Sequence, residues 1–159
     1  MSLPLADYGA DEWNSLKGAL DLRSFIGGMN RCRASEQCYF VDACRTPSEM
    51  LANAEGQAGQ TPVLPGARNP KWPLLRNPVF YSTMKGYRAY SEPKKASIYT
   101  SALLDCLQHF GANDSDGPWR VDTYHLMDAV EHLMSRLPFD RLAPPTAGNT
   151  VKIQLNCLK

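Results

Sequence analysis

Hydrophobic and polar residues recur along the chain with spacings that predict three helices and three strands. The clearest apolar stripe, at positions i, i+4, i+7 and i+11, consists of Leu126, Val130, Leu133 and Leu137. This spacing is that of a helix with one face in the core. Asp122 is placed to cap the amino end of this helix, and Pro138 to end it.

Two further segments carry helical stripes. In residues 11–29 the apolar positions are Trp13, Leu16, Leu20, Ile26 and Met29, and Gly18 weakens the pattern. Ser97 is a candidate N-cap for a helix that carries Leu103, Leu104, Leu107 and Phe110 and ends at Gly111. Both segments are predicted as helices because their apolar residues follow the helical period.

Three short segments read as strands. Residues 38–43 are apolar almost throughout, which is typical of a strand covered on both faces of a parallel sheet. Residues 79–83 are short and β-prone, and in residues 150–156 Val151, Ile153 and Leu155 alternate with polar residues. The order of strands and helices predicts the α/β class.

Residues 46–78 differ from the rest because proline and glycine are concentrated there. The prolines of this stretch are Pro47, Pro62, Pro65, Pro70, Pro73 and Pro78. Loops of this length inside a compact domain are usually functional or disordered. We predict a linker, and a short helix over residues 48–54 is compatible with its start.

Composition sets broad limits on function. The chain has 159 residues, 43% of them hydrophobic and 21% charged, which is ordinary for one soluble globular domain. A net charge of +1 predicts neither nucleic acid nor an anionic membrane as partner. The five cysteines show no C-x-x-C pair, so we expect no metal and no cofactor, and a reducing cytoplasm fits best.

Cys44 is the candidate nucleophile. It directly follows the apolar run 38–43, and the carboxyl ends of strands are where open α/β sheets place their chemistry. Arg45 follows it, and we expect its positive charge to favour the thiolate. A lone cysteine is more often a buried structural residue, so an unrelated α/β protein remains an alternative at this point.

Two motifs in order point to a family. Asp42-Ala43-Cys44-Arg45 is similar to the Q-A-C-[RQG]-G sequence around the caspase nucleophile. Residues 81–87, Y-S-T-M-K-G-Y, resemble the Y-S-T-x-x-G-Y signature that opens the caspase small subunit. Residues 97–103 resemble the G-S-W-F-I-Q-x-L helix start of the same family. Over residues 3–155 the chain resembles a caspase-like cysteine peptidase, closest to bacterial members.

The resemblance implies an architecture. The expected fold is the caspase-hemoglobinase-like open, mostly parallel sheet flanked by helices, here as its C-terminal part. Residues 1–46 would be the end of a large-subunit-like part, 47–78 an intersubunit-type linker and 79–159 a small-subunit-like part. The strand at 150–156 would either pair across a homodimer or be an ordinary edge strand.

The resemblance also shows what this sequence lacks. A thiol peptidase needs a base, and in caspases that histidine lies about 50 residues before the cysteine, in a His-Gly motif. We expect an upstream large-subunit segment to carry it, because residues 3–8 read like the segment that follows that motif. We assign no catalytic role to His109, His125 or His132. The alternative is a catalytically inactive caspase homologue that acts as a binding or scaffold domain.

Substrate preference is expected to depart from cleavage after aspartate. Asp42 stands where such caspases have glutamine, and Ser91 where they have the arginine that grips the substrate acid. An acidic pocket of Asp42 with Ser82 nearby would attract arginine or lysine; the alternative is that Asp42 merely accepts backbone hydrogen bonds.

The resemblance further implies contacts with the rest of a protein or peptide substrate. Ala89 to Ser91 would pair with the substrate backbone as an added strand, and Tyr90 would wall the neighbouring pocket. Arg68, Lys71 and Arg76 are candidate self-cleavage points, or else ordinary solvating charges.

Overall fold

The computed structural model describes residues 2–4, 17–45, 75–114, 119–137, 143–148 and 151–155. The chain divides into two compact units, Met1–Ser35 with Pro47–Leu75, and Glu36–Thr46 with Arg76–Lys159. The helix predicted at 48–54 and the predicted helix end at Pro138 lie outside the described residues. The same holds for Arg68 and Lys71.

In the first unit, strand β1 (Ser2–Pro4) pairs antiparallel with β2 (Ala19–Asp21), and helix α1 (Leu22–Met29) follows directly. The prediction of one helix over 11–29 is therefore wrong at residues 19–21, and residues 11–16 lie outside the described part. Pairing with β1 overrides the weak apolar stripe in this stretch.

The start of α1 has a local cause. Gly18 adopts a φ of +77°, a left-handed conformation that breaks a helix and suits glycine. Asp21 then caps α1, because its side chain accepts a hydrogen bond from the Arg23 N–H at 3.1 Å. The helix begins at the residue after this cap.

The second unit holds the remaining elements. They are β3 (Tyr39–Val41), β4 (Val79–Tyr81), α2 (Ile98–Asp105), a π-helical turn (Cys106–Phe110), β5 (Ala112–Asn113), β6 (Arg120–Asp122), α3 (Thr123–Ser135), β7 (Thr146–Gly148) and β8 (Gln154–Leu155). The predicted strands at 38–43 and 79–83 are confirmed as β3 and β4. The α/β class is confirmed as well.

The main sheet has the order β3-β4-β7. β3 and β4 are parallel, as the apolar run predicted, and β7 joins antiparallel to β4. Phe40 and Phe80 lie opposite each other in this pair, with ring centroids 5.3 Å apart. β7 has no counterpart in the sequence prediction, because Thr-Ala-Gly carries little β signal and its pairing is set by β4.

A smaller sheet has the order β5-β6-β8. The strand predicted over 150–156 is confirmed at β8 and wrong at residues 151–153, while residues 150 and 156 lie outside the described part. Thr123 explains the absence of strand pairing at 151–153. Its hydroxyl donates to the Val151 carbonyl at 2.8 Å and accepts from the Ile153 N–H at 3.1 Å. A side chain thus takes the place of a partner strand before β8 begins.

The core lies between α2 and α3. Its buried members are Tyr99, Ala102, Leu103, Cys106, Val121, Leu126, Val130 and Met134. Both predicted N-caps are confirmed: Ser97 accepts from the Thr100 N–H, and Asp122 accepts from the Tyr124 and His125 N–H groups. Phe40 of β3 packs against this cluster and connects it to the main sheet.

One predicted core position is wrong, since Leu137 is 36% exposed. Two apolar residues of the helix predicted after Ser97 are exposed as well, Leu104 at 48% and Phe110 at 67%. Leu104 lies beside the stripe that α2 buries, Phe110 lies at the end of the π-helical turn, and Leu137 lies beyond the end of α3. The prediction that the helical run ends at Gly111 is confirmed, since Gly111 is its C-cap. A Cβ at this position would lie 2.7 Å from the Cys106 carbonyl oxygen, which explains the glycine.

Candidate active site

The parallel strands β3 and β4 end side by side, and the chain leaves both at the same edge of the sheet. Ser82 continues the pairing by one residue, because its N–H donates to the Val41 carbonyl at 3.0 Å. Its hydroxyl lies 3.5 Å from the Ala43 carbonyl, and the residue is 3% exposed. The buried Ser82 therefore contacts and supports the loop that carries Cys44.

Cys44 lies exposed in the loop after β3. The Ala89 N–H donates to Sγ at 3.3 Å, and the thiol in turn lies 3.7 Å from the Ala89 carbonyl oxygen. An N–H aimed at sulfur stabilises negative charge on it. The geometry thus presents an accessible thiol with the Ala89 backbone as its hydrogen-bond partner.

A second loop, Met84–Tyr90, is tied to the cysteine loop by backbone hydrogen bonds. The Arg45 N–H donates to the Tyr87 carbonyl at 2.9 Å, and the Gly86 N–H donates to the Arg45 carbonyl at 3.0 Å. Gly86 adopts a φ of +96°, which explains a glycine at this turn. The Y-S-T-x-x-G-Y pattern therefore marks the residues that brace the loop of Cys44.

The Arg45 side chain takes part in the same bracing. Its guanidinium lies 4.1 Å from the centre of the Tyr81 ring. One nitrogen donates to the Thr146 hydroxyl at 3.1 Å and approaches the Thr83 carbonyl at 3.4 Å. Among the described residues none of its contacts involves Sγ, so these contacts anchor the loop on β4 and β7 instead.

Asp42 lies exposed at the amino end of α2. Its Oδ2 accepts hydrogen bonds from the hydroxyls of Ser97 and Thr100, the latter at 2.5 Å. Its partners in the described part of the chain are therefore side-chain hydroxyls and not backbone amides. Burial raises the pKa of the Tyr99 phenol, and the charge of Asp42 raises it further.

The predicted substrate strand, Ala89 to Ser91, runs between Cys44 and the start of α2. Ala89 faces Sγ, the Tyr90 carbonyl accepts from the Ile98 N–H at 3.1 Å, and Ser91 forms an antiparallel bridge with Ser97. Tyr90 is 40% exposed. The sequence-predicted site residues thus occupy one stretch of surface, with Ser82 beneath it.

Sequence reasoning missed two groups of supporting residues. Thr100 carries no signal of its own, and Ser97 was identified only as a helix cap, although both bind Asp42. Tyr81 and Thr146 hold Arg45, yet Thr146 lies 101 residues away in the sequence. A local pattern contains no information about contacts over such separations.

The histidines lie elsewhere. Nδ1 of His125 is 2.6 Å from Oδ2 of Asp122 at the start of α3, while His109 and His132 are exposed in the π-helical turn and α3. In the described part of the chain, none of the three contacts Cys44. The sequence interpretation that leaves them without a catalytic role is compatible with this arrangement.

The other thiols have different surroundings. Cys106 is fully buried, and burial raises its pKa, with a further contribution from the charge of Asp105. Burial also raises the pKa of Cys38, and the charge of Glu36 adds to it. Both thiols therefore favour the neutral form, which is the weaker nucleophile.

The described residues also line clefts away from Cys44, two of which are mainly apolar. One of about 300 Å³ lies between α2 and α3 and includes Ile98, Ala102 and Leu133. Another of about 200 Å³ includes Phe80, Met127 and Ala147. Within the same residues no helix is long and apolar enough to cross a membrane, and no cluster of three or more acidic, histidine or cysteine side chains is placed to hold a metal.

Comparison with known proteins identifies one family. A family model described as a caspase domain matches residues 10–158, which is nearly the whole chain. No curated protein and no solved structure matches the chain significantly.

Proposed function

The chain belongs to the caspase domain family, and on this premise we propose that it carries the nucleophile of a cysteine endopeptidase that cleaves after basic residues. The carrying observation is the exposed Cys44 at the carboxyl end of a parallel strand, with the Ala89 N–H 3.3 Å from Sγ. Sγ attacks the carbonyl carbon of the scissile bond, and the amine leaves with a proton from the base. Water then hydrolyses the acyl-enzyme and regenerates the thiol.

The sequence contains no His-Gly motif. None of the three histidines is followed by glycine, since Phe110, Leu126 and Leu133 come next. We propose that an upstream large-subunit segment with the His-Gly motif supplies the imidazole, which takes the thiol proton and later protonates the leaving amine.

Asp42 supports the basic preference. It is exposed two residues before the nucleophile, and in the described part of the chain no cationic side chain neutralises it. A carboxylate in this place repels an aspartate side chain and attracts arginine or lysine. Ser91, exposed nearby, offers no positive charge to a substrate acid.

A fluorogenic peptide panel on the full-length protein tests the proposal. Arginine, lysine, aspartate and a neutral residue are compared before the scissile bond, in the native protein and in Asp42→Asn. We expect basic peptides to be cleaved fastest and Asp42→Asn to reduce their advantage at least about tenfold. The control is Asp105→Asn, an exposed acid of α2. Faster cleavage after aspartate than after arginine contradicts the proposal.

Self-cleavage at Arg76 is not supported by its contacts. Its carbonyl accepts from the Gln37 N–H at 2.9 Å, and its guanidinium contacts Glu36 and the Lys152 carbonyl, both at 3.3 Å. A protease needs an extended, unpaired backbone, so this bridge protects Arg76. Of the three predicted points, Arg68 and Lys71 remain as proposals.

A homodimer through β8 also remains a proposal. β8 pairs with β6 on one side and stands at the edge of the described sheet β5-β6-β8. An edge strand of this kind either pairs with a second copy or stays solvated. Light scattering of the purified protein distinguishes the two.

A second function is favoured by one observation. The Cys44 thiol donates towards the Ala89 carbonyl oxygen at 3.7 Å, so in this arrangement its proton points to the protein backbone and not to a base. A catalytically inactive homologue that binds other proteins fits this arrangement. Full-length protein that is alkylated at Cys44 but cleaves no peptide of the panel supports this second function.

A further inference from the structure

Asp42 is held by two hydroxyls from a distant part of the chain. Ser97 and Thr100 lie 55 and 58 residues away in sequence, and both donate to the same oxygen, Oδ2. The Ser97 hydroxyl at the same time accepts from the Thr100 N–H at 3.0 Å. The three residues form a closed hydrogen-bonded set on the first turn of α2.

This arrangement fixes the carboxylate in one orientation. An exposed aspartate ordinarily samples several rotamers, and a ligand that needs one of them must order the side chain first. Here two charge-assisted hydrogen bonds do so in advance. Within the described residues, Oδ1 makes no hydrogen bond, so the second oxygen is left as an oriented acceptor.

We propose that Ser97 and Thr100 are positioning residues, which hold Asp42 as the acceptor for the basic side chain of the substrate. The inference rests on the proposed function, since it assigns how the same acidic pocket achieves its selectivity. Thr100 is the better probe, because its hydroxyl does not cap the helix.

The test measures alkylation of Cys44 in the full-length protein, so it needs no turnover. Second-order rates are compared for two tripeptide chloromethyl ketones, one ending in arginine and one in norleucine, and for iodoacetamide. The variants are Thr100→Val, which removes the hydroxyl and keeps the shape, and Thr100→Ser, which keeps the hydroxyl. Ser97→Gly removes the other donor while retaining most of the capping. Ser101→Ala, an exposed hydroxyl of the same helix, is the matched control.

We expect the native protein to favour the arginine reagent and Thr100→Val to reduce the arginine-to-norleucine ratio about tenfold. Thr100→Ser should restore the ratio, Ser97→Gly should lower it, and the iodoacetamide rate should stay unchanged throughout. A general loss of structure would instead be seen as a change in the iodoacetamide rate of Cys44.

Two failures are distinguishable. A native protein without preference for the arginine reagent overturns the proposed basic specificity, and this inference with it. A native preference that persists in both Thr100→Val and Ser97→Gly overturns only the positioning role.

Discussion

The helical core and the loops at the strand ends belong to the same unit but are held by different forces. Between α2 and α3, apolar side chains such as Leu126 and Val130 are fully buried, and polar contacts are concentrated at the helix caps. At the strand ends, exposed residues are connected by hydrogen bonds between distant segments. Cys44 and Ala89, for example, are 45 residues apart.

The difference implies that the residues that stabilise the fold are not those of the candidate active site. Burial supplies most of the folding free energy, so the core tolerates little loss of volume. The strand-end loops contribute few buried apolar groups, and their hydrogen bonds each contribute only about 1 kcal/mol. We therefore expect substitutions in the core to lower stability and substitutions at the strand ends to lower peptide cleavage.

The largest expected effect comes from replacing, one at a time, the exposed Cys44 and the buried Cys106. Cys44→Ala should lower peptide cleavage by the full-length protein at least about 10³-fold while leaving its thermal stability unchanged. Cys106→Ala removes a fully buried sulfur and should lower the melting temperature while retaining cleavage. Steady-state kinetics and thermal melts on both variants check this. Equal loss of activity in both would contradict the separation.

In the core, Leu126→Ala should destabilise the fold by about 3 kcal/mol, because Leu126 is fully buried among α2 and α3 side chains. Urea unfolding measures the effect. Leu104→Ala is the matched control, since this leucine is half exposed, and should change the free energy of unfolding by less than about 1 kcal/mol. A similar loss in both would show that the core lies elsewhere.

At the strand ends, Arg45→Lys should lower cleavage about tenfold, as much as Arg45→Met. A lysine retains the charge but neither stacks on Tyr81 as a planar group nor reaches both Thr83 and Thr146. Arg88→Met, an exposed arginine of the same neighbourhood, is the control. If Arg45→Lys keeps full activity and Arg45→Met does not, cleavage depends on the positive charge and not on the anchoring contacts.

The smallest expected effect is a change in the free energy of unfolding when Asp122, the buried N-cap of α3, is replaced. Burial raises its pKa, but hydrogen bonds from His125 and Tyr124 outweigh burial, and the pKa of Asp122 lies below its ordinary value. A depressed folded-state pKa stabilises the fold above the unfolded value, and this contribution is lost as pH falls through the folded value.

The matching variant is Asp122→Asn, which retains capping and removes the charge. It should be about 1 kcal/mol less stable than the native protein at pH 6. The difference should shrink as pH falls below 4. Unfolding by urea at several pH values measures it, and a constant difference would exclude the charge as its cause.

The sequence predicted most of what local patterns encode. The parallel strands β3 and β4, the caps Ser97 and Asp122 and the stripe through Leu126 and Val130 all follow from periodicity or capping chemistry. The family was also predicted from two short motifs and is confirmed.

The errors arise where tertiary contacts override local preference. Residues 19–21 pair with β1 instead of continuing a helix, and β7 forms only because β4 offers an edge. The partners of Asp42 and Arg45 come from segments more than 35 residues away, which no window of sequence detects.

The most direct test of the account is site-resolved alkylation of the native protein with iodoacetamide at neutral pH, followed by mass spectrometry of each cysteine. Cys44 should react fastest, ahead of Cys38, because Cys44 is exposed whereas burial and the charge of Glu36 raise the pKa of the Cys38 thiol. Cys106 should react only after unfolding, since it is fully buried. Alkylation of Cys44 no faster than that of Cys38 would contradict its role as the nucleophile.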